Sequence, residues 1–272
     1  MQADRDALLA GILADPDADL PRLVFADWLE ETGHPANCAR AEYIRLAIER
    51  VVRNRSVPLR YNRSERFNTR LVALEGMFDD GWASFAKAIP ITIPPRVGCK
   101  RSRGFISGLS VHAEYAGPEF WELLRSHPVV EFSIDDTPPA PDRLTEVHLP
   151  ITLRRLWFGH FQDGGPLLLD TLQEADAPRL RSIMAGHCGL TDAHVVRLVQ
   201  TLRTNPTLGG VESLNLGDNP LTDHAAYAIA AAELAPTFCY LDIERTRITN
   251  AGRAVLFRRF GFEELRPRLA LS

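Results

Sequence analysis

The sequence predicts an α/β solenoid, with parallel strands on a concave side and helices on a convex one, behind an all-α N-terminal cap. Three observations predict it. The segments LRSIMAGHCGL (180–190), VESLNLGDNPL (211–221) and FCYLDIERTRI (238–248) share an eleven-residue template, with apolar or small residues at positions 1, 4, 6 and 11 and a small or polar residue at position 9. Each runs through Thr-Asp or Thr-Asn into a helix-like pattern. The template extends backwards to starts at 106, 129 and 153, so the six starts lie 23, 24, 27, 31 and 27 residues apart. Such a shared register belongs to units that bury their apolar faces only against their neighbours.

The chain as a whole sets bounds on this reading. With 272 residues and 45% hydrophobic content it can bury a core without disulfide or metal staples. Cys38, Cys99, Cys188 and Cys239 are far apart and form no CxxC pair, which fits reduced thiols. No apolar run approaches the roughly 18 residues of a membrane span, and the acidic N-terminus is unlike a signal peptide. The expectation is a cytoplasmic protein with no membrane partner and no cofactor. Charge is uneven: net −6 over residues 1–49, +8 over 50–103 and −6 over 104–272.

Residues 1–55 read as a helical module. In DALLAGIL (6–13), Leu8 pairs with Ile12 and Leu9 with Leu13 on one helical face. A second helix starts with Pro21 in its first turn, aligns Val24 with Trp28 and Phe25 with Leu29, and stops at Gly33 before Pro35. A third, near 38–53, aligns Ile44 with Ile48 and Tyr43 with Ala47 and Val51. RLVFADWLEETGHP followed by ARAEYIRLAIE resembles the short repeat-companion domain that precedes leucine-rich repeats in many bacterial proteins. The resemblance covers residues 1–50 and implies a helical cap with no assigned activity. Asp27 belongs to that motif, where bonding to the backbone or to Arg40 or Arg45, beside a buried Trp28, is the expectation rather than catalysis.

Residues 56–103 read as a basic helical connector and cap. From 50 to 70, seven arginines face the single acid Glu65, and a helix from Pro58 would align Arg63, Arg66 and Arg70 in one stripe. With Tyr61 and Phe67 among them, this is a candidate site for nucleic acid or another anionic partner, set against a solvated linker or a surface neutralised by the acidic first module. Leu71, Leu74 and Phe78, then Trp82 and Phe85, suggest helices broken near Asp80-Gly81, and IPITIPPRVGCKRSRG an extended connection.

Residues 104–272 read as the repeat array. Each strand would bury positions 4 and 6 and turn positions 3, 5 and 7 outward. The spacing and template resemble leucine-rich repeats of the ribonuclease-inhibitor-like class. In that family an Asn at position 9 bonds backbone groups of neighbouring turns; here the position holds Glu114, Thr137, Phe161, Cys188, Asn219 and Thr246, of which Asn219 alone is the preferred residue. Thr191, Thr222 and Thr249 stand at helix N-caps. The apolar faces that follow are Val195/Leu198/Val199/Leu202, Ala226/Ile229/Ala230 and a line from Ala251 and Val255 toward Phe260, with the tail from 262 covering the last repeat.

On the outward face the candidate protein-binding residues are Arg155, Trp157, Met184, Asn215, Tyr240, Asp242 and Glu244, with Trp157, Met184 and Tyr240 as anchors. A cap or a second copy covering Trp157 is the alternative. His160 and His187 share position 8 and can stack, and Cys188 lies beside them. That trio fits the turn better than a metal or nucleophilic site, because no acid is fixed to orient a histidine. His34 and Cys38 lack a second ligand pair, and no catalytic or phosphate-binding motif is present. The expected function is a non-enzymatic protein–protein interaction scaffold. Anionic-partner binding through the arginine-rich stretch and regulation of a small GTPase by fold analogy are the alternatives.

Overall fold

The computed structural model describes residues 2–56, 69–74, 98–113, 121, 124, 127–135, 148–161 and 164–261. By contacts the chain divides into two compact units, Met1–Leu109 with Pro118–Val129 and Ser110–Gly117 with Val130–Ser272. The sequence drew boundaries at 55 and 103.

In the first unit the expected helices are present as α1 (Gln2–Ala14), α2 (Leu20–Glu31) and α3 (Pro35–Ser56), but of the expected pair Val24/Trp28 only Trp28 packs on the core, Val24 being exposed. Ile12, Phe25, Leu29, Ile44 and Ile48 share one core with Phe105, and Leu8, Leu9 and Trp28 pack against it. Gly33 leaves α2 at φ 67°, the left-handed conformation that glycine adopts without strain. Trp28 is half-buried rather than buried, because its ring stacks on the outside of Phe25 at 5.7 Å. Asp27 accepts from Arg45 at 2.6 Å, the second of the two expected arginines.

Arg40 instead lies wholly inside, donating to the Gly104 carbonyl and resting 5.5 Å from the Phe105 ring centroid. Arg22 lies 5.4 Å from the same ring and donates to the Ala18 and Pro16 carbonyls at 2.6 and 2.8 Å. Strands β1 (Gly98–Ser102) and β2 (Phe105–His112) meet at Arg103-Gly104, with φ of 50° and 80°, the two-residue turn of an antiparallel hairpin. Gly104 is required there: a Cβ would fall 2.8 Å from the Ile44 Cα. Arg103 pairs with Asp19 at 2.7 Å.

The sheet runs in sequence order, β1-β2-β3-β4-β5-β6-β7, with β3 (Glu131–Asp135), β4 (Arg155–Gly159), β5 (Ser182–Met184), β6 (Ser213–Asn215) and β7 (Tyr240–Asp242) parallel. Phe132 aligns with Leu156, Leu156 with Ile183, Ile183 with Leu214 and Leu214 with Leu241. These offsets of 24, 27, 31 and 27 residues are those of the template. One backbone pattern repeats: the position-2 carbonyl of Val130, Arg154, Arg181 and Glu212 accepts from two successive amides of the next strand, at 2.8–3.2 Å.

Helices α4 (Gly165–Glu174), α5 (Asp192–Thr204), α6 (Asp223–Ala231) and α7 (Asn250–Phe260) pack side by side in the same order. Thr191, Thr222 and Thr249 cap α5, α6 and α7, accepting from His194, His224 and Ala251 amides. After the first two caps the next residue links to the following repeat: Asp192 accepts from the Thr222 amide at 2.8 Å and its hydroxyl at 2.5 Å, and Asp223 does the same for Thr249 at 2.7 and 2.6 Å. In α7 the buried residues are Gly252 and Leu256, not Ala251 and Val255. Ala225, Ala226 and Ile229, third, fourth and seventh after the cap, face inward in α6; in α7 the third and seventh, Gly252 and Leu256, keep that phase, and Gly252 carries no apolar side chain to reveal it.

Several expectations fall on residues outside those described: the stripe at Arg63 and Arg66, Phe78, Trp82 and Phe85, position 9 at Glu114 and Thr137, and the tail from 262.

Candidate functional site: the outer face of the parallel sheet

The turn after each strand sets the site's frame. Position 8 holds His160, His187, Asp218 and Arg245, with φ of 57°, 58°, 56° and 52°. Four consecutive units thus leave the strand through one left-handed residue, which costs a non-glycine residue about 1 kcal/mol. At position 9, buried Asn219 Oδ1 accepts from the Cys188 and Leu190 amides at 3.0 and 2.9 Å, and its Nδ2 donates to the Ala185, Leu216 and Gly217 carbonyls at 2.9–3.1 Å. Cys188, one unit earlier, donates its thiol to the Phe158 carbonyl at 3.1 Å. Phe161 is buried, packing on Phe158 at 5.4 Å between ring centroids.

Fixed strands bring the predicted residues onto one face as two cross-strand rows. One row is Glu131, Arg155, Ser182, Ser213 and Tyr240; the other is Ser133, Trp157, Met184, Asn215 and Asp242. Alternating burial separates them from the interior, where Leu156, Phe158, Ile183 and Leu214 are fully covered. Arg155 is exposed and pairs with Glu131 at 2.6 Å. Trp157 is 53% exposed, and a Cβ at Gly159 would fall 2.9 Å from its Nε1, so the indole lies across Gly159. Met184, Asn215, Tyr240 and Asp242 are half-buried, and Glu244 is exposed beyond the end of β7.

Asn215 donates to Asp242 at 3.0 Å and accepts from the Gly217 amide at 2.9 Å. The Tyr240 phenol is pushed above its ordinary value, first by burial and then by Asp242 and Glu244. Gly108 of β2 is buried, and a Cβ there would fall 3.1 Å from the Lys100 Cβ of β1.

The His160 and His187 rings lie 5.2 Å apart. The Cys188 thiol beside them is pushed up to about 12 by burial, the reverse of what a nucleophile needs. Among the described residues no group of three or more His, Cys, Asp or Glu side chains is arranged to hold a metal ion. No described helix is long and apolar enough to cross a membrane. Arg70 binds Glu42 through Nε at 2.7 Å and through Nη2.

Sequence reasoning missed the buried arginines, since an Arg in a helical pattern carries no mark of its burial. It also missed the Asp192 and Asp223 links, which were visible as the Asp of each Thr-Asp pair. The fold defines a mixed α/β protein with a mostly parallel sheet. No family model and no curated protein matches the chain.

Proposed function

We propose that the chain is a leucine-rich-repeat protein with an N-terminal repeat-companion module, acting as a non-enzymatic scaffold that binds a protein on the outer face of its parallel sheet. Its four cysteines are all free, which supports a reducing compartment such as the cytoplasm. The constant register, the left-handed turn at position 8 and the five bonds of Asn219 support the repeat reading.

The observation that carries the binding reading is Trp157. A large aromatic held flat on one side by Gly159 and half open to water on the other loses little entropy when a partner covers it. Met184 lies next to it in the same row. The alternative through Arg63, Arg66 and Arg70 gains nothing from Arg70, whose guanidinium is engaged by Glu42.

Replacing Trp157 and Tyr240 together with Ala tests the face. The double variant is expected to lose its partner in affinity purification from native lysate while its unfolding free energy changes by about 1 kcal/mol or less for the exposed Trp157. An unchanged set of captured proteins would remove the face from the proposal.

A further inference from the structure

The outer face changes character from one end to the other. At β3 and β4, Arg155 is neutralised by Glu131 at 2.6 Å, and in the turn beside β7 Arg245 is neutralised by Asp218 at 2.7 Å. Asp242 and Glu244 differ: among the described residues no cation pairs with either. Asp242 is also held in place, its Oδ2 accepting from Asn215 at 3.0 Å and its Oδ1 from the Glu244 amide at 2.8 Å. Tyr240 precedes them on the same face of the strand. An aromatic ring beside two uncompensated carboxylates, one of them oriented by its own hydrogen bonds, suits a desolvated cation and repels an anion.

In the row that ends at Asp242, exposed Trp157 stands three strands away. Neighbouring strands are about 4.8 Å apart, so the separation is about 14 Å. An extended chain covers that distance in about four residues.

Resting on the protein-binding reading above, we propose that the partner presents an extended segment across β4 to β7. An apolar side chain of that segment sits on Trp157 and Met184, and a lysine or arginine about four residues away sits between Tyr240, Asp242 and Glu244. The occupant is therefore a basic peptide segment rather than an acidic one or a nucleic acid.

Random dodecapeptides displayed on phage and selected against the full chain test this, with Trp157→Ala and the double variant Asp242→Asn/Glu244→Gln as comparisons. The expected result is a bound pool in which Lys or Arg is enriched about four residues from an apolar position. Its binding should weaken about tenfold on the double variant and fall with added salt. A pool that needs Trp157 but is not enriched in basic residues, or is indifferent to Asp242→Asn/Glu244→Gln, overturns the cation site and leaves the binding face standing. A pool indifferent to Trp157→Ala as well, or no enriched pool at all, removes the face and the cation site together.

Discussion

The two units bury polar groups of opposite kinds. Among the described residues the first unit buries Arg22, Arg40, Arg103 and His127, all ionisable, whereas the second buries Thr152, Thr171, Thr201 and Asn219, all neutral. The first solves its problem with aromatic faces and carbonyls around guanidinium groups; the second uses an amide that satisfies its neighbours' backbone. Taking a charge out of water costs several kcal/mol even after relaxation, and an amide costs far less. The first unit should therefore answer to pH, and the second to the loss of a single hydrogen-bonding side chain.

The largest expected effect is in the second unit. Asn219→Ala strands the Cys188 and Leu190 amides and the Ala185 and Leu216 carbonyls inside the turns, whereas the Gly217 carbonyl keeps the His187 amide; the cost is about 1–3 kcal/mol for each group left without a partner. A total loss of about 3 kcal/mol or more is expected, read from denaturant midpoints. Phe161→Leu, at the same template position of an earlier unit, should cost about 1 kcal/mol, because it removes only part of an apolar contact. Equal losses would show that Asn219 is one packing residue among others and would dissolve the contrast.

Acid is the second probe. Burial, then the nearby Arg40, holds the His127 imidazole down at about 3 from an ordinary 6.5. Between those values the unfolded chain binds a proton that the folded one does not. The stability contribution of neutral His127 is therefore complete above pH 6.5 and is lost as pH falls toward 3, an effect on the order of a few kcal/mol. The slope should be seen in hydrogen exchange of the helices α1 to α3, and His127→Gln should flatten it. A flat wild-type profile over that window would place a charged imidazole in the first unit.

The contrast between units also explains what the sequence disclosed. Template positions 4 and 6 were readable because apolar residues recur there at Leu156/Phe158, Ile183/Ala185 and Leu214/Leu216, and the same count placed Trp157, Met184 and Tyr240 outward. Thr191, Thr222 and Thr249 were readable because a cap is a local event. Arg40 was not, since its partner Gly104 is 64 residues away and no local pattern links them. Nor was position 8: His160, His187, Asp218 and Arg245 share a conformation but no chemistry.

Smaller effects separate the cap from the link beyond it. Thr222→Ala removes the acceptor for the His224 amide and the donor to Asp192, at about 1 kcal/mol. Asp223 is half-buried, and its carboxyl is held below its ordinary 3.8 by the Thr249 side chain and then by the Thr249 amide. A lowered folded value means that its contribution is present above pH 3.8 and is lost as pH falls through the folded value. Asp223→Asn should remove that part of the acid profile, seen as a shallower fall below pH 3.8 in circular dichroism. An unaltered profile would show that the link to Thr249 is not formed in solution.

The smallest expected effect comes from Gly252, third after the cap of α7, where an added Cβ would lie 2.4 Å from Asp223 Oδ1 and 2.9 Å from Ile248 Cγ2. Taken alone, that contact predicts a broken link. The molecule contains its own control: Ala225 is third after the cap of α6, and there the Asp192 bonds to Thr222 coexist with a Cβ. The Asp223 carboxylate, the end of a side chain, must therefore move by at least about 0.6 Å to bring 2.4 Å up to 3.0 Å, an arrangement the α6 link shows to be attainable, and Ala gains about 1 kcal/mol over Gly inside a helix. Gly252→Ala should consequently fall within about 1 kcal/mol of wild type in denaturant unfolding. A loss above about 2 kcal/mol would mean that α7 sits closer to its neighbour than α6 does and that the two links are not equivalent.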